Sequence, residues 1–238
     1  MTNVLNRLIT KKEGDREVVD VVNEGDLDIL LPQTSDYLDL ENQYRQIMFF
    51  YEAGIQQVTA KLEILNKEFQ YCNDRNPIES IKSRVKSSDS IIKKMKKKGL
   101  PLTISGMMTN IYDIAGVRVV CPFISDVYHV AHMLMNQTDV EVLRIKDYIE
   151  NPKENGYRSL HLIVMVDVFF SEEKRKVPIE IQFRTIAMNF WASTEHQLRY
   201  KKEREFTADM HKQLRRCADL MARADRKMQR LAEGLSVQ

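Results

Sequence analysis

The chain has 238 residues, of which 43% are hydrophobic, and its 36 Lys and Arg nearly balance its 34 Asp and Glu. This hydrophobic content, with only 8 Gly and 6 Pro, excludes a disordered chain, and the net charge of +2 argues against a uniformly basic coat for nucleic acid. Three widely spaced cysteines form neither a metal-type pair nor a disulfide framework. Because the N-terminus also lacks the apolar run of a signal peptide, we expect a cytoplasmic protein.

The first part of the chain is predicted to be mostly helical. Residues 1–34 mix charges with short Val and Leu runs and predict a weakly ordered N-terminal extension. Apolar residues then recur at three- and four-residue steps, which predicts a long amphipathic N-terminal helix over residues 35–75. The Asn-Pro pair at 76–77 interrupts this pattern, and we expect a shorter helical segment after it. The next helix is expected to begin near Ser88 and to end at Gly99.

The second part alternates strands with helices. Four segments have the β-branched or alternating pattern of strands, namely residues 115–122, 139–145, 159–168 and 176–184. Ser125 is expected to open a helix between the first two strands, and the sequence from Thr185 onward predicts two helices divided near Phe206. Strands between helices, together with one hairpin, predict an α/β (α+β) fold with a mixed β-sheet core flanked by N- and C-terminal helices.

The densest cationic segment is IKSRVKSSDSIIKKMKKKG, residues 81–99. In the predicted helix Ser90, Lys94 and Lys97 share one face, and Asp89 is the only acidic residue of the segment. Two interpretations fit, a solvated basic helix or a surface that binds an anion. Unpaired like charges on a helix repel by about a few tenths of a kcal/mol per pair, which favours a bound anion.

Two carboxylates and a histidine lie at strand positions suited to a shared site. Alternation in the last strand puts Glu180, Gln182 and Arg184 on one face, and His161 shares that surface if the last two strands pair. Asp113 precedes the first strand, where a helix cap or turn residue would also fit. Two carboxylates are enough for magnesium, which keeps waters and takes its other ligands from substrate phosphates. The spacing alone does not bring Asp113 and Glu180 together.

The segment NPKENGYRSLHLIV, residues 151–164, joins a polar loop to a strand. Tyr157 offers a ring on which a base can stack, typically for about 1–3 kcal/mol. Asn155 can present a donor and an acceptor to a purine edge, and Gly156 permits positive φ or close backbone approach. Phosphates could be met by the neighbouring cations Lys146, Lys153 and Arg158. No Walker-type motif is found, which excludes a P-loop enzyme.

Five blocks of the sequence together resemble a known family. SRVKSSDSIIKKM, DIAGVRV, RIKDYIENPKENGYRSLH, EIQFRT and MNFWASTEHQL occur in the order and approximate spacing of the RelA/SpoT alarmone synthetases. The resemblance spans residues 76–202 and is closest to small, synthetase-only, RelP-like members without a hydrolase domain. It implies a nucleotidyltransferase-like synthetase domain at 76–202, followed by a C-terminal helical segment at 203–238.

The activity implied by this resemblance is that of a GTP/GDP diphosphokinase of the stringent response. Such an enzyme transfers the pyrophosphate of ATP to the 3′-hydroxyl of GDP or GTP and releases AMP, with Mg²⁺ as cofactor. By the same resemblance, Asp113 and Glu180 bind the metal, and Glu180 also acts as the base. The ATP site would contain Arg84, Lys86, Lys94, Lys97 and Arg118. Tyr157 would stack on the acceptor guanine, in a site completed by Lys146, Lys153, Asn155, His161, Gln182, Asn189, Ala192 and His196.

Alternatives remain open at the level of sequence. A single-stranded RNA-binding or regulatory relative with reduced activity would also use a basic helix and a stacking Tyr157, although Asp113 and Glu180 give an RNA groove no advantage. A general nucleotidyltransferase would release pyrophosphate rather than AMP. The preference for GDP or GTP stays undecided, and the family implies a homotetramer built from the terminal helices.

Overall fold

The structure is a computed structural model that describes residues 8–13, 16–21, 37–73, 75–200 and 207–235. Within the predicted N-terminal extension, strand β1 (Leu8–Glu13) pairs antiparallel with strand β2 (Arg16–Val21). The remaining residues of that extension lie outside the described residues, as does Phe206, where we expected the last two helices to divide.

A mixed sheet with the strand order β3-β4-β7-β6-β5 forms the centre of the fold. Its strands are β3 (Ser80–Val85), β4 (Ala115–Cys121), β5 (Val140–Asp147), β6 (Leu160–Phe169) and β7 (Lys174–Thr185). Strands β4 and β7 run parallel, whereas the other neighbouring pairs are antiparallel. The four predicted strands and the mixed sheet are therefore confirmed.

The helical segment expected after residues 76–77 is wrong, because Ser80–Val85 forms the edge strand β3. Its sequence, SIKSRV, lacks a clean alternation of apolar and polar residues. Lys82, Ser83 and Arg84 are all exposed, because the strand lies at the edge of the sheet and buries little of either face. The pairing with β4, which sets Arg84 opposite Gly116, is a long-range contact that local periodicity does not reveal.

Helices α1 (Tyr37–Asn73) and α4 (Ile124–Met135) pack on the apolar face of the sheet. The predicted long helix is thus confirmed, and its residues Val58 and Leu62 are completely buried. Gly54 brings α1 close to the sheet, because a Cβ there would lie 2.9 Å from Cδ1 of Ile179 in β7. With α1 and α4 covering one face, the opposite face of the sheet is left for polar side chains.

Helices α2 (Ser88–Lys97) and α3 (Ile104–Asn110) connect β3 to β4. Helix α2 buries Ile91 and Met95 and leaves its lysines partly or fully exposed. It ends at Lys97, just before the predicted stop at Gly99, whose φ of 67° is readily adopted only without a side chain. The short connection therefore holds the cationic face of α2 beside the start of β4.

Helices α5 (Ile186–Tyr200) and α6 (Ala208–Leu235) form the C-terminal part and pack on each other. Trp191 is 5% exposed and donates its indole N–H to the backbone oxygen of Leu214 at 2.9 Å. The Thr185 hydroxyl donates to Asp225 at 2.6 Å, which ties α6 to the end of β7. Among the described helices, none has the length and apolar character needed to cross a membrane.

Candidate active site

The open face of the sheet collects polar side chains from its central strands. In β7, alternation buries Ile179, Ile181 and Phe183 on one side and turns Glu180 and Gln182 to the other. The antiparallel register with β6 pairs His161 with Gln182, and the parallel register with β4 pairs Arg118 with Gln182. The expected shared surface of His161 and Glu180 is thus present.

Asp113, in the turn before β4, is held by two lysines. Its Oδ2 accepts a hydrogen bond from Lys86, which directly follows β3, and lies 2.6 Å from the ammonium of Lys94 in α2. Burial raises the pKa of Asp113, but the hydrogen bonds from Lys86 and Lys94 outweigh it, so that the pKa lies below its usual value. The other oxygen, Oδ1, is buried without a hydrogen-bond partner in the described part of the chain.

Glu180 has both carboxylate oxygens engaged. Oε1 lies 3.1 Å from Nδ1 of His161, and Oε2 accepts a hydrogen bond of 2.9 Å from the amide of Gln182. Burial raises the pKa of Glu180, but the hydrogen bonds from His161 and Gln182 bring it below its usual value. The negative charge of Asp113 raises the pKa of Glu180, and the parallel register sets Glu180 opposite Gly116, three residues after Asp113. Both are therefore ionised near neutral pH.

A cleft of about 160 Å³ opens beside Glu180 and His161. Its remaining lining consists of Arg144, Lys146, Tyr148, Lys153 and Ile163. The ammonium of Lys153 lies 4.6 Å from the ring centre of Tyr148 and 4.9 Å from that of Tyr157. Burial and the charge of Lys146 lower the pKa of Lys153. Like charges are thus concentrated where an anionic ligand would neutralise them.

The loop before β6 places Tyr157 against two residues that line this cleft, Lys153 and His161. Asn155 accepts a hydrogen bond of 3.1 Å from the backbone N–H of Tyr157, which closes a tight turn. The Tyr157 hydroxyl lies 2.8 Å from Nε2 of His161, and the ring packs against the cluster of Trp191 and Ala218. Gly156, at φ +89°, allows the loop to approach Ala218 of α6.

Three arginines extend the polar face toward the sheet edge, namely Arg84 in β3, Arg118 in β4 and Arg184 in β7. Burial and the neighbouring guanidinium groups of Arg184 and Arg84 lower the pKa of Arg118. Nε of Arg118 and Nε of Arg184 are buried without hydrogen-bond partners among the described residues. This concentration of positive charge lies on the side of the sheet that also includes Asp113 and Lys86.

The other predicted site residues are distributed as follows. Lys97 is exposed in the last turn of α2, and the ion pairs described for Asp113 do not include it. Ala192 of α5 joins the cluster against which Tyr157 packs. Asn189 lies one turn earlier with its Oδ1 buried and unpaired in the described structure, and His196 is exposed one turn later.

Arg144, Tyr148 and Arg184 belong to the site but were missing from the residues predicted for it. Arg184 donates to the Tyr157 hydroxyl at 2.9 Å and to Oε1 of Gln182 at 2.8 Å. Arg184 lies two residues after Gln182 on the polar face of β7, and this alternation could have identified it as a site residue. Arg144 and Tyr148 flank residues of the predicted site, but a bulge in β5 near Arg144 hides their orientation from strand periodicity.

The oxygen ligands available for magnesium in this site come from two carboxylates. No group of three or more His, Cys, Asp or Glu that could hold a metal occurs in the described residues. Asp113 nevertheless offers the unpaired Oδ1, and Glu180 lies on the neighbouring strand opposite Gly116, three residues after Asp113. Two carboxylates completed by waters and substrate phosphates fit the habit of magnesium, which seldom uses an all-protein cage.

Comparisons with known proteins agree with the sequence resemblance. The family described as the region found in RelA / SpoT proteins matches residues 83–205. The GTP pyrophosphokinase YwaC of Bacillus subtilis is 38% identical over 202 residues, covering 85% of this chain and 96% of the relative. The crystal structure of small alarmone synthetase 1 from Bacillus subtilis bound to its product pppGpp has a TM-score of 0.74 and 34% identity, covering 81% of this chain and 97% of that chain. A structure of that synthetase bound to AMPCPP has a TM-score of 0.70 and 30% identity, covering 83% and 100%.

The mixed sheet, its flanking helices and these relatives define the α+β fold of the small alarmone synthetases. The predicted fold class and the resemblance drawn from five sequence blocks are both confirmed. The chain belongs to the RelA/SpoT family.

Proposed function

We propose that the chain synthesises ppGpp or pppGpp by transferring the pyrophosphate of ATP to the 3′-hydroxyl of GDP or GTP. The observation that carries this proposal is a pair of carboxylates on a cationic sheet face, Asp113 just before β4 and held by two lysines, and Glu180 on the neighbouring β7 opposite Gly116. A relative of 38% identity is a GTP pyrophosphokinase, and a similar structure contains pppGpp. Both findings support the same reaction.

The two nucleotides occupy two sides of the carboxylate pair. ATP lies toward β3, β4 and α2, where its adenine contacts Arg84 and Arg118 and its phosphates lie beside the lysines that hold Asp113. The residues that would meet those phosphates are Lys86, Lys94 and Lys97. The acceptor lies in the cleft toward β5 and β6, with its guanine on Tyr157 and its phosphates at Lys146 and Lys153. The acceptor side is completed by Asn155, His161, Gln182, Asn189, Ala192 and His196.

Asp113, through its unpaired Oδ1, and Glu180 would hold the magnesium ion. A bound magnesium supplies charge neutralisation and alignment of the phosphates of ATP. Lys86 and Lys94 keep Asp113 ionised and fixed in position, since both contact its Oδ2. Oδ1 has no hydrogen-bond partner among the described residues, so it is the Asp113 atom offered to a cation.

Glu180 acts as the base for the acceptor hydroxyl. The proton of the 3′-hydroxyl passes to the Glu180 carboxylate as the 3′-oxygen attacks the β-phosphorus of ATP. The bond between that phosphorus and the oxygen bridging to the α-phosphate breaks, and AMP leaves with that oxygen. Positioning and charge stabilisation provide most of the rate enhancement in this kind of phosphoryl transfer. His161 and Gln182 hold the two oxygens of Glu180 in place for the transfer.

The decisive experiment incubates the purified chain with ATP, magnesium and GDP or GTP, and separates the products by chromatography. Formation of AMP together with a nucleotide carrying two added phosphates supports the proposal. Release of pyrophosphate indicates a nucleotidyltransferase instead. RNA retention without nucleotide turnover indicates the RNA-binding alternative. Glu180→Gln should reduce turnover to near background while GDP affinity stays within about threefold, because the amide keeps the shape but cannot take the proton.

The finer properties expected from the family are part of this proposal. The enzyme works in the cytoplasm, where its nucleotide substrates are made. It assembles as a homotetramer through its terminal helices, and the support for this is an apolar set exposed on α5 and α6, namely Ile186, Phe190, Leu198, Leu220, Met228 and Leu231. Light scattering coupled to size exclusion tests the assembly. A monomer that does not associate at micromolar concentration would refute it.

A further inference from the structure

Five side chains on the open face of the sheet form a closed ring of hydrogen bonds. From Glu180, one arm runs through His161 at 3.1 Å to the Tyr157 hydroxyl at 2.8 Å. The other arm runs from Glu180 to the amide nitrogen of Gln182 at 2.9 Å. Both arms end on Arg184, whose Nη2 donates to the Tyr157 hydroxyl at 2.9 Å and to Oε1 of Gln182 at 2.8 Å. The base and the stacking ring of the acceptor site are therefore members of one ring.

Arg184 and the carboxylate of Glu180 fix the directions of the hydrogen bonds that they make in this ring. A guanidinium only donates, so the Gln182 oxygen faces Arg184 and its NH₂ group must face Glu180. The Tyr157 hydroxyl accepts from Arg184, and the ring is completed when its own proton is directed to Nε2 of His161. An ionised carboxylate only accepts, so Nδ1 of His161 carries the proton that faces Glu180. A proton on Nδ1 of His161, with Nε2 accepting from Tyr157, satisfies the whole ring.

Arg184 is a buried cation, and the hydrogen bonds of this ring compensate for its lost hydration. Arg184 is 7% exposed, and no ion pair to it is found in the described residues. It also lies close enough to Arg118 for the two positive charges to oppose each other. A buried cation needs hydrogen bonds to compensate for lost hydration, and the bonds found for Arg184 go to Tyr157 and Gln182. Its guanidinium carbon also lies 5.2 Å from the centre of the Tyr157 ring.

We propose that Arg184 is a positioning residue that orients the base Glu180 and the guanine-stacking Tyr157 together, by fixing the polarity of their shared hydrogen-bond ring. This inference rests on the proposed function for the roles of Glu180 and Tyr157. Among the described residues, the hydrogen bonds of Arg184 go to Tyr157 and Gln182 and not to the carboxylates of Asp113 and Glu180. It acts on the base through Gln182, and through Tyr157 and His161, and on acceptor binding through Tyr157.

Arg184→Met tests the role in turnover, because it keeps the length of the side chain and removes its donors. We expect kcat to fall and the KM for GDP to rise, each by roughly ten- to a hundredfold, while the KM for ATP stays within about twofold. Arg175→Met is the matched control, since Arg175 lies on the same strand against Phe50 and outside the ring. Its constants should match those of the unmodified enzyme. If Arg184→Met does not fold, Arg184→Lys, which keeps the cation but not the fork, should give the same pattern with smaller changes.

Tyr157→Phe separates positioning from a general loss of structure. The ring stays for stacking, but the hydroxyl link is gone, so Arg184→Met should change kcat less in this background than in the unmodified enzyme. Equal factors in both backgrounds would overturn the proposal. Constants unchanged in Arg184→Met or Arg184→Lys, or a KM for ATP that rises as much as that for GDP, would overturn it as well.

The ring can also be observed without turnover, which separates this inference from the proposed function. In protein labelled with ¹⁵N-histidine, long-range ¹⁵N–¹H spectra report which ring nitrogen carries the proton, and His161→Gln identifies the signal among 5 histidines. We expect the Nδ1–H form for His161 in the unmodified chain and a shift toward Nε2–H in Arg184→Met. An Nε2–H form from the outset, or an unchanged spectrum in the variant, refutes the ring. Absence of AMP formation by the unmodified chain with this spectrum intact refutes only the proposed function.

Discussion

Gly156 connects the C-terminal helix to the acceptor loop in a way that one substitution can test. Its φ is +89°, and a Cβ placed there would lie 2.5 Å from Cβ of Ala218 and 3.1 Å from Cδ of Arg215. The same helix also contacts the loop through Arg215, which donates to the backbone oxygen of Glu154 at 2.8 Å. Gly156→Ala therefore forces either the loop or α6 to move.

The size of the effect follows from two terms. An L-residue with positive φ costs about 1–2 kcal/mol relative to glycine. The overlap with Ala218 is about 1 Å inside normal carbon–carbon contact, and overpacking of this kind costs about 1–3 kcal/mol. If the loop moves to relieve this strain, the adjacent Tyr157 loses stacking worth about 1–3 kcal/mol, which raises the KM for GDP about 5- to 100-fold.

The assay compares KM for GDP, KM for ATP and Tm in four proteins. These are the unmodified chain, Gly156→Ala, Ala218→Gly and the double variant. Ala218→Gly costs about 1 kcal/mol as a helix glycine but removes the Cβ that Gly156→Ala would meet. In the double variant the steric overlap should therefore be relieved, and only the cost of the positive φ of Ala at position 156 should remain. A KM for GDP that stays normal while Tm falls would refute the view that α6 positions the loop, and additive losses would refute the overlap as their cause.

Three further substitutions probe the site and its electrostatics. Tyr157→Ala should raise Kd for GDP about 5- to 100-fold and leave Kd for ATP unchanged in calorimetric titrations, and an unchanged GDP affinity would exclude stacking. Burial raises the pKa of Asp225, so its contribution favours the fold at low pH and is lost as pH rises through the folded-state pKa. Asp225→Asn should therefore raise Tm at about pH 8, with a gain that shrinks toward about pH 4, and a lower Tm at about pH 8 would contradict this. The pKa of Asp113 is lowered, so its contribution to the stability of the fold is lost as pH falls. Lys94→Met should therefore move the acid limb of a Tm–pH curve to higher pH, and an unmoved limb would argue against the ion pair.

The sequence predicted those parts of the fold whose side-chain pattern is strongly periodic. Helix α1 buries Val58 and Leu62 on one stripe, and β7 alternates Ile179 and Ile181 with polar residues, so both elements could be identified from spacing alone. Strand β3 could not, because Ser80–Val85 is an edge strand without a buried alternating face. Its position depends on pairing with β4, more than thirty residues later in the chain.

For the site, the residue types were predictable but their partners were not. Alternation in β7 put Glu180, Gln182 and Arg184 on one face, yet only the register with β6 brings His161 to Glu180. The two lysines on Asp113 lie in different elements, Lys86 directly after β3 and Lys94 in α2. No local pattern of the sequence shows that both contact the same carboxylate. Hydrogen bonds that link distant segments therefore supply the details that periodicity leaves open.

The net charge of the chain is a poor guide to the charge that a ligand meets. Overall the chain is close to neutral, but burial and the charge of Lys94 lower the pKa of Lys98, and Arg144 and Lys146 lower it further. Lys153 and Arg118 are affected by other neighbouring cations in the same way. Since each of these groups is destabilised by its neighbours, the fold holds together positive charges that favour a bound polyanion. The composition excludes a basic coat, and the structure concentrates the available cations around Asp113 and Glu180, where two nucleotides would bring several negative charges together.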